Sequence, residues 1–149
     1  MRKINLIVLH CSATREDMEY TPEQLERDHK ARGFLSAGYN YYIRRSGEIV
    51  SMRPPEQIPA HVKGFNRFSL GICYEGGLDA GGRPKDTRTK EQKESIRILL
   101  LLLLVRYPGC RICGHRDLSP DRNGDGKITP DEWLKECPCF NAEEEYGRL

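Results

Sequence analysis

The stretch GHRDLSPDRNGDGKITPDEWLKECPCF, residues 114–140, carries two metal-binding patterns that conflict. From Asp121 to Glu132 it fits the calcium-loop template D-x-N-x-D-G-x5-E at every specified position. Its flanks, His115 on one side and Cys137 and Cys139 on the other, offer donors for a softer metal. The two readings demand different folds. A calcium sensor pairs two helix–loop–helix units, but only one such loop exists here, and Ser119-Pro120 is a poor end for an incoming helix. A zinc protein whose ligand-bearing segment carries an inserted loop puts no such demand on the scaffold. The rest of the chain must then define it.

A chain of 149 residues suits one domain, residues 1–149, with room for a real core. Apolar content of 38% and charged content of 31% are ordinary for a globular protein. A net charge of +2, without any long Lys/Arg cluster, argues against a nucleic-acid partner. The apolar run Ile98–Val105 is far shorter than the ~20 residues of a membrane helix, so no membrane partner is expected. The start, MRKINLIVLHCSAT, lacks the apolar length and cleavage site of a signal peptide and reads as a first strand. Cytoplasmic synthesis is therefore expected. Six cysteines without such a leader favour thiols or metal ligands over disulfides.

Working outward along the chain, Ile4–Leu9 is a candidate buried strand. Thr21 caps a helix with Pro22 at its first position and Gln24 closing a capping box; it runs to about Arg32, and Gly33 ends it. YNYYIRRSGEIVSM reads as two strands joined at Ser46-Gly47. Arg53–Phe68 has no period and is a long loop of the kind that tends to carry function. SLGICYEGG is a short buried strand. Thr89 and Gln92 form a second capping box, and the helix over about 90–107 is apolar nearly all round near its end, which predicts packing on both sides. CRIC is a last short strand, followed by a loop and a short helix around Trp133-Leu134. The order predicts an α/β fold, a central mixed sheet of about five strands flanked by helices on both faces.

His10 and His115 fall at strand ends, where sites of open sheets collect. Taken singly, each reads more readily as a satisfied hydrogen-bonding histidine. His29 lies in a polar helix and reads as solvated surface. Cys11 points opposite to His10, and Cys110 and Cys113 point to opposite faces of their strand. Cys11, Cys73, Cys110 and Cys113 thus read as small buried apolar residues. Cys137 and Cys139, with Pro138 between them, can each reach a metal. Two histidines and one thiolate leave a fourth tetrahedral position open, the pattern of a catalytic zinc site. The competing arrangement is a closed site of Cys110, Cys113, Cys137 and Cys139, which leaves His10 without a role.

The blocks LHCSAT, GYNYYI, HVKGFNRFSLGIC, GHRDLSP and KECPCF, in that order, resemble the zinc-dependent N-acetylmuramoyl-L-alanine amidases of the phage-lysozyme type, relatives of the peptidoglycan recognition proteins. The resemblance spans Ile4 to Phe140. It implies His10, His115 and Cys137 as zinc ligands, Tyr39 and Lys135 as catalytic side chains, and His61, Asn66 and Ser69 in a substrate wall. It also implies a zinc cofactor, peptidoglycan as partner, and hydrolysis of the amide joining N-acetylmuramic acid to L-alanine; a monomer is expected. A non-catalytic peptidoglycan-binding module is the alternative, and the presence of both Cys137 and Lys135 favours the enzyme. The expected setting is a phage or prophage lysis enzyme.

The departure from the family is spacing. Nineteen residues separate His115 from Lys135, where the phage type has only a few, so a calcium-like insertion at about 118–132 interrupts one amidase block. Asp121, Asn123, Asp125, the Lys127 carbonyl and Glu132 are the candidate calcium ligands, with Ile128 packing inward. Turn pairs and a capping box over Thr129, Pro130 and Glu132 are the metal-free reading of the same residues.

Overall fold

The computed structural model describes residues 2–149. Strands β1 (Leu6–Cys11), β3 (Tyr41–Ile43), β4 (Ile49–Ser51), β5 (Ser69–Tyr74) and β7 (Arg111–Gly114) form one sheet in the order β4-β3-β5-β1-β7. All neighbours are parallel except the β3–β4 hairpin. A short second pair joins β2 (Thr14–Arg15) to β6 (Gly77–Leu78). The central strands β1 and β5 are buried along their whole length. This is why they are apolar runs with no polar alternation: parallel strands need cover on both faces.

The two crossovers supply that cover. Helix α1 (Pro22–Ala31) links β1 to β3, and α2 (Lys90–Arg106) leads from β6 to β7. They travel in opposite directions across the sheet, so right-handed connections put them on opposite faces. Both helices start as their sequences predict. Thr21 Oγ1 accepts the Gln24 amide at 3.1 Å while Gln24 Oε1 accepts the Thr21 amide at 2.8 Å. Thr89 and Gln92 repeat the pair at 3.0 and 2.9 Å.

Helix α2 packs Ile96, Leu99, Leu100 and Leu103 onto Ile7, Leu9, Ile72 and Ile112. This i, i+3, i+4, i+7 stripe is the main core, and truncating a residue as buried as Leu100 to Ala costs about 2–5 kcal/mol. The expectation that α2 is packed on both sides fails. Ile98, Leu101, Leu102 and Val105 are exposed, because the fold has one helical layer on this face and nothing covers its outside among the described residues. No helix among the described residues is long and apolar enough to cross a membrane.

Two further differences lie near the C-terminus. The expected helix at Trp133-Leu134 is a 3-10 turn over Pro130–Glu132 with Trp133 extended. Glu132 folds its carboxylate back onto the Thr129, Arg122 and Asn123 amides, which ends the turn. The Arg116 guanidinium stacks on Trp133 at 3.8 Å. A helix that the sequence reading omitted, α3 (Ala142–Tyr146), is capped by Asn141 and buries Ala142 and Tyr146 in the main core. Arg88, almost fully buried, clamps it. Its guanidinium bonds Asp86, Glu145 and the Tyr146 hydroxyl and lies 3.3 Å over the Phe140 ring.

Candidate metal centre

Period-2 alternation along β1 sends Ile7, Leu9 and Cys11 toward α2 and Leu6, Val8 and His10 to the other face. His10 is therefore buried on the face that carries a cleft of about 590 Å³, which is lined by Tyr39, His61, His115, Lys135 and Cys137 among others. His115 opens the 3-10 turn that follows β7, one position beyond the expected strand end. Its ring lies 4.8 Å from that of His10.

Cys137 reaches the same point from a distant part of the chain. Pro138 packs so closely on Gly114 that a Cβ there would lie 2.6 Å from its Cδ; only glycine admits the approach. The Arg116 amide donates to the Cys137 carbonyl at 2.9 Å, and the Tyr74 hydroxyl donates to the Pro138 carbonyl at 2.7 Å. The Cys11 amide donates to Cys137 Sγ at 3.2 Å, a contact that suits a thiolate. Cys137 Sγ lies 3.9 Å from His10 Nδ1. One ligand atom each from His10, His115 and Cys137 lies within 4.8 Å of the others, the three spaced to share one ion.

The electrostatics favour metal-competent forms. Burial pushes His10 well below its ordinary value, with His61, His115 and Lys135 adding to the effect, and burial with Lys135 pushes His115 down to about 4. Both are neutral imidazoles at neutral pH, as ligation requires. Two neutral imidazoles and a thiolate are a zinc donor set with one tetrahedral position free. The closed four-cysteine alternative does not form. Cys113 packs with Leu6, Val8 and Val62, Cys110 joins the opposite core, and Cys139 Sγ bonds the Gly77 carbonyl at 3.4 Å.

Tyr39 and Lys135 both border this centre. The Tyr39 ring lies 5.0 Å from that of His10. Burial, together with the thiols of Cys73, Cys137 and Cys11, raises its phenol well above the ordinary value, so it is a donor and not a phenolate. Lys135 is exposed at the rim of the main cleft and of a second depression beside Phe65, Leu118 and Leu134. His61 lies against His10, Nδ1 to Nε2 at 2.7 Å, and Asn66 Oδ1 accepts the His61 and Val62 amides at 3.0 Å each. Ser69 is fully buried on β5 and meets His61 Nε2 at 2.8 Å, so its side chain faces His61 and is out of reach from the cleft.

Two supporting residues were not identified from the sequence. His29 is buried, not solvated surface: its Nδ1 accepts the Gly38 amide at 2.7 Å and its ring lies 5.4 Å from Tyr39. Asn40, also buried, accepts the Gly71 amide at 3.0 Å and donates to the Arg53 and Pro54 carbonyls at 3.3 Å each. Nothing local to either residue signals these roles, since the partners come from other elements.

The candidate calcium loop folds on itself. Asp121 accepts the Gly124 and Gly126 amides, Asn123 that of Asp125, and Asp125 that of Lys127. Asp121, Asp125 and Glu132 bring carboxylate oxygens within 4.8 Å of one another. Ile128 is half-buried, and Ser119 Oγ accepts the Leu134 amide at 3.1 Å, tying the two ends of the insertion together.

A mixed α/β sheet in which two histidines and a cysteine are spaced to share one ion beside a cleft defines a zinc metalloprotein with an open coordination position. The family model described as N-acetylmuramoyl-L-alanine amidase matches residues 1–132. The endolysin of Klebsiella phage KP32 is 36% identical over 135 residues, 91% of this chain and 80% of that protein. An uncharacterized protein of Haemophilus influenzae is 52% identical over 96 residues, 64% of this chain and 83% of that one. Among solved structures, the N-acetylmuramoyl-L-alanine amidase LysC from Clostridium intestinale superposes with a TM-score of 0.74 at 27% identity, covering 97% of this chain and 82% of that one. The chain belongs to the N-acetylmuramoyl-L-alanine amidase family. It is a zinc amidase acting on peptidoglycan amide bonds, not a non-catalytic binding module. The family match stops before Lys135 and Cys137, so it is the geometry that brings the third ligand to the site.

Proposed function

We propose that this protein hydrolyses the amide between the lactyl group of N-acetylmuramic acid and L-alanine, with zinc held by His10, His115 and Cys137. The convergence of those three donor atoms in one cleft is the observation that carries the reading. Zinc bound there supplies Lewis acidity toward the amide carbonyl and lowers the pKa of a water toward ~7. The chain supplies the rest. Lys135 places a positive charge where the tetrahedral oxyanion develops, and the neutral Tyr39 phenol donates a hydrogen bond beside it. His61 and Asn66, which line the cleft, are proposed to contact substrate at its wall; the burial of Ser69 supports a role behind that wall. The chain is taken to act as a monomer and as a single catalytic unit over residues 1–149. The phage endolysin relatives support synthesis in the cytoplasm and action on the wall during lysis. Zinc analysis of the purified protein, with turnover measured on cell walls before and after chelation, tests the reading.

A second reading concerns the insertion. The cluster of Asp121, Asp125 and Glu132 supports calcium binding there, completed by Asn123 and the Lys127 carbonyl. Calcium would act as a clip on the long connection between His115 and Lys135.

A further inference from the structure

We propose that His61 is a positioning residue for the metal centre: it holds His10 in the one tautomer that can ligate. The inference rests on the zinc reading above and assigns a different task to part of the presumed substrate wall. His10 faces Cys137 Sγ with Nδ1 and faces His61 with Nε2. To ligate through Nδ1, His10 must carry its proton on Nε2. That proton has one acceptor, His61 Nδ1 at 2.7 Å. His61 must then be protonated on Nε2, which donates to Ser69 Oγ at 2.8 Å. The opposite polarity would put a proton on His10 Nδ1 and remove the ligand. The chain therefore runs in one direction, from His10 through His61 to Ser69.

Three features hold this relay in place. Asn66 Oδ1 accepts both the His61 and the Val62 amides and fixes the loop that carries the ring. Gly71 leaves room for the ring, since a Cβ there would lie 2.9 Å from His61 Nδ1. Ser69, buried on β5, is placed by the pairing of β5 with β1, the strand that carries His10. The acceptor is a neutral imidazole where many metal sites use a carboxylate. A carboxylate would add negative charge behind the ligand. The imidazole orients His10 without adding that charge.

The test uses the zinc-loaded full chain with nitrogen-15-labelled histidine. Long-range proton–nitrogen correlation spectra should show His10 protonated on Nε2 and His61 also protonated on Nε2. Chelator competition should show His61→Leu weakening zinc binding by about 10–100-fold, the range for such outer partners. His61→Asn, which keeps an acceptor near the Nδ1 position, should recover most of that loss. Wild-type zinc affinity in His61→Leu, or a His61 ring protonated on Nδ1 in the wild type, overturns the proposal and leaves the zinc reading intact. Failure of the wild type to bind zinc overturns both.

Discussion

Cys137 Sγ lies 3.9 Å from Nδ1 of His10 across 127 positions of sequence. The contact closes the metal site, because β1 and the turn after β7 supply the two histidines. Cys137→Ser should therefore abolish zinc retention and turnover together. Cys139→Ser should keep zinc, since Cys139 Sγ is directed to the Gly77 carbonyl. Metal analysis of both variants checks this, and the reverse pattern would make Cys139 the ligand.

Lys135→Ala and Tyr39→Phe should retain zinc but lose turnover. A donor to a developing oxyanion is worth about 10²–10³ in rate. Neither change removes a ligand. Metal content measured beside cell-wall clearing rates separates the two effects, and near-wild-type rates in Lys135→Ala would remove it from the mechanism.

The buried histidines predict an acid limit for the zinc-free protein. Burial holds His115 at about 4 and His61 at about 3, against about 6.5 in an unfolded chain. Below about 6.5 the unfolded chain takes up protons that the folded chain refuses. Their contribution to stability is thus full above about 6.5 and is lost as pH falls toward about 4 for His115 and about 3 for His61. The melting temperature should fall across that window, and its upper part, from about 6.5 to about 5.5, lies above the ordinary carboxylate range. A melting temperature that is level or rises from pH 6.5 to 4 contradicts the assignment.

Arg88→Ala should destabilise the fold by about 2–3 kcal/mol, the scale for hydrogen bonds to charged groups lost from a buried donor. Helix α3 and Phe140 would loosen first, since Arg88 joins them to the start of α2. Denaturant unfolding and amide exchange over 140–146 measure this.

Millimolar calcium should raise the melting temperature if the insertion binds it, by mass action on the folded state. Asp121→Ala with Asp125→Ala should erase the rise. A melting curve indifferent to calcium would leave the insertion as a loop closed by its own turns.

Much of this molecule is legible where the signal is local. The two Thr–Gln capping boxes, the hairpin at Ser46-Gly47, and the opposed faces of His10 and Cys11 follow from spacing alone. Misreadings arise where a distant partner decides. The apolar run of α2 promised two packed faces, but only tertiary context says that its outer face has no second layer. Trp133-Leu134 carries helical composition, yet the Glu132 carboxylate spends its oxygens on backbone amides and the chain leaves the turn extended. His29 read as solvated surface because its partner lies on another element, and nothing local to Asn40 or Arg88 announces their buried partners. The polarity of the His61–Ser69 pair is likewise invisible until β1 and β5 are set side by side.

Mass spectrometry of peptidoglycan digested by the zinc-loaded protein tests the central claim most directly. The account predicts stem peptides with free L-alanine amino termini and glycan strands with free lactyl carboxylates, both lost in Cys137→Ser. New reducing sugar ends with the lactyl–alanine amide intact, or cleavage that persists in Cys137→Ser, would contradict it.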